Sequence, residues 1–169
     1  MIESIKLKVF KGINRALLKP VFGPPFSYSF QRLWFEFMAT ACVVPRNTSN
    51  QPVEMGNIKA QKVASEQFMP AGKQGVILYL HGGAYCICSA RTHLSLTANL
   101  AKHCRSDVYV PDYRLAPEHA FPAGINDCVQ AYEWLLEQGY EGKQITLAGD
   151  SAGGGLVMAT TQKIMQKRL

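Results

Sequence analysis

The stretch QITLAGDSAGGG (residues 144–155) carries an apolar run straight into a serine flanked by glycines. Residues 144–149 are short, mostly apolar and bounded by Gly149, which is the pattern of a strand buried on both faces. From Ala152 onward, AGGGLVMATTQKIMQKR reads as a helix. Ser151 therefore stands at a strand-to-helix turn, inside Gly149-Asp150-Ser151-Ala152-Gly153, a G-x-S-x-G arrangement. So tight a turn needs small flanking residues and points the serine hydroxyl outward. It also sets the N–H of Ala152 at a helix N-terminus, where the dipole favours an anion. These are the requirements of an activated serine nucleophile.

Working outward, the same strand–helix alternation repeats. GVILYL (75–80) and DVYVPDY (107–113) are further buried strands. Helices are predicted over 92–103 and over 122–137, where Ile125, Val129, Tyr132 and Leu136 share one face and Gly139 stops the run. Residues 58–63 add a strand, and PRNTSNQP (45–52) reads as a polar loop. Strands alternating with helices define an α/β fold with a mostly parallel sheet. Upstream, residues 2–18 form an amphipathic helix broken by Pro20 and by Gly23-Pro24-Pro25. A second helix, about 27–41, carries Phe30, Leu33, Trp34, Phe35, Phe37 and Met38, enough apolar surface to require a core or a site to cover.

A second motif, His81-Gly82-Gly83-Ala84-Tyr85, follows the strand 75–80. Adjacent glycines at a strand's carboxyl end let backbone N–H groups approach a ligand closely. Acyl transfer needs such donors for the oxyanion of its tetrahedral intermediate, each worth about 3 kcal/mol. Together HGGAY, DYRLAPEHAFPA (112–123) and GDSAGG (149–154) resemble the hormone-sensitive-lipase-like carboxylesterases and lipases (family IV) of the α/β-hydrolase superfamily. The resemblance covers roughly residues 53–169 and implies the N-terminal part of an α/β-hydrolase fold, with 1–50 as cap helices and 51–169 as a partial catalytic domain. It implies Ser151 as nucleophile and the N–H groups of Gly82, Gly83, Ala84 and Ala152 as the oxyanion hole. Ala84 stands where the family commonly has a third glycine; alanine keeps the N–H.

His81 and Asp150 are expected to support these motifs, Asp150 by bracing the turn, since a residue beside Ser151 points away from it. The charged residues Asp112, Arg114, Glu118 and His119 are structural by the same resemblance, and Asp127 is expected to cap or bond locally. Triad members in this fold follow in the order serine, acid, histidine. Residues 152–169 contain no Asp, Glu or His. All four histidines, His81, His93, His103 and His119, lie upstream; His93 and His103 fall on a helix expected to lie away from the elbow, and His119 is the one candidate for a substitute base. The expectation is a carboxylic ester hydrolase present as a fragment whose elbow strand is a sheet edge. The alternative is a non-catalytic remnant or a module that binds a ligand or partner.

Composition narrows the remaining classes. The formal charge of +6 sits upstream: residues 1–84 carry ten Lys/Arg against four Asp/Glu, residues 85–169 eight of each. Lys6, Lys8, Lys11, Arg15 and Lys19 fit either a solvated helix face or weak contact with an anionic membrane surface. No nucleic-acid recognition motif is present. Cys42, Cys86, Cys88, Cys104 and Cys128 have neither disulfide nor zinc spacing, which suits reduced thiols in the cytoplasm. No metal or cofactor is expected, and the partner is a small-molecule ester; the oligomeric state is left open.

Overall fold

A computed structural model describes Leu7, Lys11, Gly12, residues 14–65 and residues 75–168. Five strands form one sheet in the order β1-β2-β4-β3-β5. They are β1 (Thr48–Met55), β2 (Ile58–Ser65), β3 (Val76–Leu80), β4 (Asp107–Pro111) and β5 (Ile145–Gly149). The first two make an antiparallel hairpin, β2 pairs antiparallel with β4, and β4, β3 and β5 run parallel. The α/β architecture is as expected. Strand β1 corrects the reading of 45–52 as a loop: it is an edge strand whose Asn50, Gln51, Pro52 and Glu54 face solvent, so it shows no apolar alternation. Proline is tolerated there because an edge strand has one side free of ladder bonds.

Helices cover both faces. Helix α1 is Tyr28–Ala39, α2 Leu94–Cys104, α3 Ala123–Glu137 and α4 Ala152–Lys167. The period-2 alternation of β3 distributes its side chains between two cores. Val76, Leu78 and Leu80 pack with Cys128, Ala131 and Leu135 of α3 and Leu156 and Ile164 of α4. Ile77 and Tyr79 pack with Ala98 and Ala101 of α2 on the opposite face. Burial on both sides is why β3 reads as an unbroken apolar run. Among the described residues β5 is the other sheet edge, so Thr146 is exposed and the rest of the strand only partly buried.

The expected helix over 2–18 falls largely outside the described residues; Asn14–Leu18 form a π-helical turn and Lys19–Val21 a 3-10 turn. Helix α1 is capped by Ser27, whose hydroxyl accepts the N–H of Phe30 at 3.2 Å. Its aromatic surface is not buried in a core. Phe26, Phe30, Trp34 and Phe37 stack on one another along the helix, while Leu33 and Phe37 stay exposed. The helix instead docks through polar side chains: Arg32, described below, and Glu36, which accepts from the Ser89 hydroxyl and pairs with Arg91. No described helix is long and apolar enough to cross a membrane.

Candidate active site

Register places the two motifs side by side. Leu80 of β3 pairs with Gly149 of β5, so His81 and Asp150 leave neighbouring parallel strands at the same level. Connections from β3 go through α2 on one face and return through α3 on the other, which opens a crevice at the strands' carboxyl ends. Ser151 stands at the carboxyl end of β5, exposed, with φ 48° and ψ −121°. This is a strained conformation for a residue with a Cβ, as a nucleophile turn requires. Gly149 and Gly153 are obligatory on packing grounds: a Cβ on Gly149 would stand 2.6 Å from the Leu80 carbonyl oxygen, and one on Gly153 would overlap that same oxygen. Ala152 is the first residue of α4, and its N–H is among the first-turn amides that a helix leaves without an intrahelical acceptor.

The glycine loop has a different division of labour from the one expected. Gly82 donates its N–H to Asp150 Oδ1 at 2.8 Å, so it is not free as an oxyanion donor. The sequence shows which amides exist but not which are already bonded. The carbonyl of Gly82 accepts from His81 Nδ1 at 2.8 Å, and that of Gly83 accepts from Cys86 N at 3.0 Å and Ile87 N at 2.9 Å. In a planar trans peptide the following N–H points opposite its carbonyl. The N–H of Ala84 is therefore turned away from the interior of the loop, and that of Gly83 away from the buried His81 ring.

Asp150 braces both motifs. Its carboxylate accepts from the Tyr79 hydroxyl at 2.9 Å as well as from Gly82. Partial burial pushes the carboxyl up, but the Tyr79 hydroxyl, His93 and the Gly82 N–H outweigh it and hold the group below the ordinary carboxylate range. His93 corrects the expectation that its helix lies away from the elbow. It stands at the N-cap position of α2 without a capping side-chain bond, its Nε2 lies 3.3 Å from Asp150 Oδ1, and only 14% of its side chain is exposed. Helical spacing places a residue on a face; it does not reveal what a cap residue reaches across the sheet.

His81 is buried, with its ring stacked on Tyr113 at 4.3 Å, and the Tyr113 hydroxyl donates to the His81 carbonyl at 2.7 Å. Burial pushes its imidazole down to about 4, so it is neutral near pH 7. A neutral ring bonding a carbonyl through Nδ1–H is a structural element. His103 and His119 are exposed, and His119 borders a cavity of ≈ 400 Å³ with Tyr85, Phe121 and Gly155. A second cleft of ≈ 340 Å³ lies between residues 22–31 and the glycine loop, with Phe22, Phe26, Ala84 and Ile87 in its wall.

The 112–123 segment is tied down as expected for a structural loop. Asp127 does more than bond locally: buried on α3, it accepts the Arg114 backbone N–H at 2.8 Å and grips the guanidinium through Nε and Nη2, at 2.7 Å to the latter. Arg32 shows in the sequence only as a lone arginine in an aromatic helix. It donates to the carbonyls of Cys86 (2.8 Å) and Ala116 (2.9 Å) and forms a two-pronged pair with Glu118.

A doubly wound sheet with a serine at a strained strand–helix turn beside a glycine loop defines the α/β-hydrolase class of proteins. A family profile described as "alpha/beta hydrolase fold" matches residues 77–169. Esterase LipU of Mycobacterium tuberculosis (strain ATCC 25618 / H37Rv) is 42% identical over 130 residues, covering 76% of this chain and 44% of that protein. Carboxylesterase/phospholipase LipF of the same strain is 37% identical over 155 residues, 89% of this chain and 42% of LipF. Among solved structures, an esterase from the bacterial hormone-sensitive lipase family superposes with a TM-score of 0.77 at 36% identity, over 86% of this chain and 48% of its own. EstE5, soaked with p-nitrophenyl butyrate, superposes with 0.85 at 34% identity, over 96% and 53%. The chain belongs to the α/β-hydrolase fold family, in its hormone-sensitive-lipase-like branch. It spans about half the length of the relatives it matches.

Proposed function

We propose that this chain supplies the nucleophile and the oxyanion hole of a carboxylic ester hydrolase. The observation that carries the reading is Ser151 at φ 48° on the end of β5, beside the glycine loop that leaves β3 at the same level. Ser151 attacks the ester carbonyl, the alkoxide departs with a proton, and water resolves the acyl-enzyme. The developing oxyanion is received by the N–H groups of Gly83, Ala84 and Ala152, while Gly82 serves Asp150 instead. The cleft walled by Phe22, Phe26 and Ala84 suits the acyl chain.

Proton transfer needs a histidine oriented by a carboxylate. His81 bonds Gly82 and His93 faces Asp150, so neither is placed for the task; His103 and His119 are exposed, His119 on the wall of the ≈ 400 Å³ cavity, and residues 152–169 offer no acid or histidine. We assign the base and its carboxylate to the part of the relatives' length that this chain does not span. Relatives named as esterases support the reaction class.

The test is hydrolysis of p-nitrophenyl butyrate by two proteins. One is residues 1–169 alone; the other is the same residues joined to the half of LipU that they do not match. The joined protein is expected to turn over and the Ser151→Ala form to lose activity by 10³-fold or more, roughly the effect of removing a serine nucleophile. Turnover that survives Ser151→Ala contradicts the proposal and favours a remnant that only binds.

A further inference from the structure

The geometry points to Arg32 as a positioning residue for the glycine loop, making the shape of residues 83–88 depend on the docking of α1. The inference rests on the reading that this loop presents the N–H groups of Gly83 and Ala84 to an oxyanion.

The loop is held in a backbone that it would not adopt alone. Gly83, Ala84 and Tyr85 have successive φ values of 117°, 52° and 62°, and Cys88 has 70°. A left-handed conformation is costly for residues with a Cβ, and runs of it persist only where the surroundings over-determine them. Inside the loop, the backbone bonds from Cys86 N and Ile87 N to the Gly83 carbonyl and the buried Ile87 side chain oppose relaxation. The rest of the restraint comes from outside. The Tyr85 carbonyl accepts from Ala116 N at 2.9 Å, and the Cys86 carbonyl accepts from Arg32 Nε at 2.8 Å.

Arg32 also closes the circuit. Its Nη2 donates to the Ala116 carbonyl at 2.9 Å, so Ala116 bonds the loop through its N–H and the guanidinium through its oxygen. Glu118 then fixes the plane of the guanidinium through Nη1 (3.0 Å) and Nη2 (2.7 Å). One planar fork from α1 thus joins the two backbones that define the loop, aimed by a carboxylate from the 112–123 segment. A lysine ammonium has no such fork and cannot hold both carbonyls in fixed geometry. Helix α1 is seated by two polar side chains, Arg32 and, one turn on, Glu36, whose carboxylate accepts from the Ser89 hydroxyl and pairs with Arg91 at 3.6 Å; only Arg32 reaches the loop backbone, and the aromatic side chains stack mainly on themselves and on Phe22 and Phe26. Undocking α1 frees the Cys86 carbonyl, lets residues 84–88 relax, and turns the Ala84 N–H from its outward direction. Cap docking and assembly of the oxyanion hole become one event.

Amide hydrogen exchange on the 169-residue chain reads this directly. The reporters are the amides of Cys86, Ile87 and Ala116, against Leu78 and Val110 in the sheet. Arg32→Met is expected to speed exchange at the three reporters by about 10- to 100-fold, the scale of a lost charge-assisted hydrogen bond, with the sheet amides unchanged. Arg32→Lys should recover part of that protection, and Glu118→Gln, which leaves both carbonyl contacts possible, should lose less than Arg32→Met. If Arg32→Met does not fold, Arg32→Lys and Glu118→Gln carry the comparison. Unchanged loop protection in the arginine variants, full protection with lysine, or a loss shared equally by the sheet amides overturns the inference. Exchange needs neither ester nor Ser151. An Arg32-dependent loop around an inert Ser151 would leave this inference standing and sink the proposed function.

Discussion

Acidification isolates the contribution of one buried ring. His81 is 1% exposed, and burial lowers its imidazole from the ordinary 6.5 to about 4. Between those values the unfolded chain binds a proton at this residue that the native chain does not. The unfolded state holds more protons, so stability rises with pH across the window and is lost as pH falls from 6.5 towards 4. At ~1.4 kcal/mol for each tenfold change in proton affinity, the loss attributable to His81 is about 3 kcal/mol, complete near pH 4. A loss of that size is a large part of a typical domain's stability. Urea denaturation at pH 7, 6, 5 and 4 measures it, with His81→Asn as the reference. Asparagine offers an amide N–H near where Nδ1–H stands and does not titrate. Wild-type protein should lose about 3 kcal/mol more than the variant over this range. Equal losses in the two, or an NMR titration of His81 with a midpoint near 6.5, would refute the argument that burial against Tyr113 governs this ring.

Three further outcomes follow from named contacts. Asp127→Ala removes a buried carboxylate that holds the Arg114 side chain and backbone N–H, and should cost about 2 kcal/mol in chemical denaturation, against less than about 0.5 for a plain surface change. Ala84→Gly relieves a left-handed alanine at φ 52° and should raise stability by about 1 kcal/mol, seen as a higher Tm; a lower Tm would show that the Cβ makes compensating contacts. Gly153→Ala forces a Cβ into the Leu80 carbonyl, and should cost about 3 kcal/mol or prevent folding; unaltered denaturation would mean that β3 and α4 separate easily.

The parts of this fold that were legible in the sequence are those where burial on two faces imposes a pattern. Strands β3 and β4 show as apolar runs because helices cover both their sides. The elbow shows because only glycine fits beside the Leu80 carbonyl. Strand β1 did not show, since an exposed edge places no demand on Gln51 or Glu54. The availability of amides was equally hidden: Gly82 and Gly83 look alike in sequence, and only the fold brings Asp150 to one of them. His93 and Arg32 are conspicuous only through partners far along the chain, Asp150 for the first and Cys86, Ala116 and Glu118 for the second. Such contacts depend on which strand ends the topology sets side by side.

The central claim is that Ser151 is a nucleophile facing an oxyanion hole built from Gly83, Ala84 and Ala152. Its most direct test is a p-nitrophenyl alkylphosphonate, which bonds an attacking serine and leaves a tetrahedral, oxyanion-like group in place. After reaction with the protein joined to the LipU half, peptide mass spectrometry should find the adduct on Ser151. A crystal structure of that adduct should place the phosphonyl oxygen within hydrogen-bond distance of the three amides, with the Gly82 N–H still on Asp150. An adduct on another residue, no adduct, or a phosphonyl oxygen held by Gly82 would contradict the account.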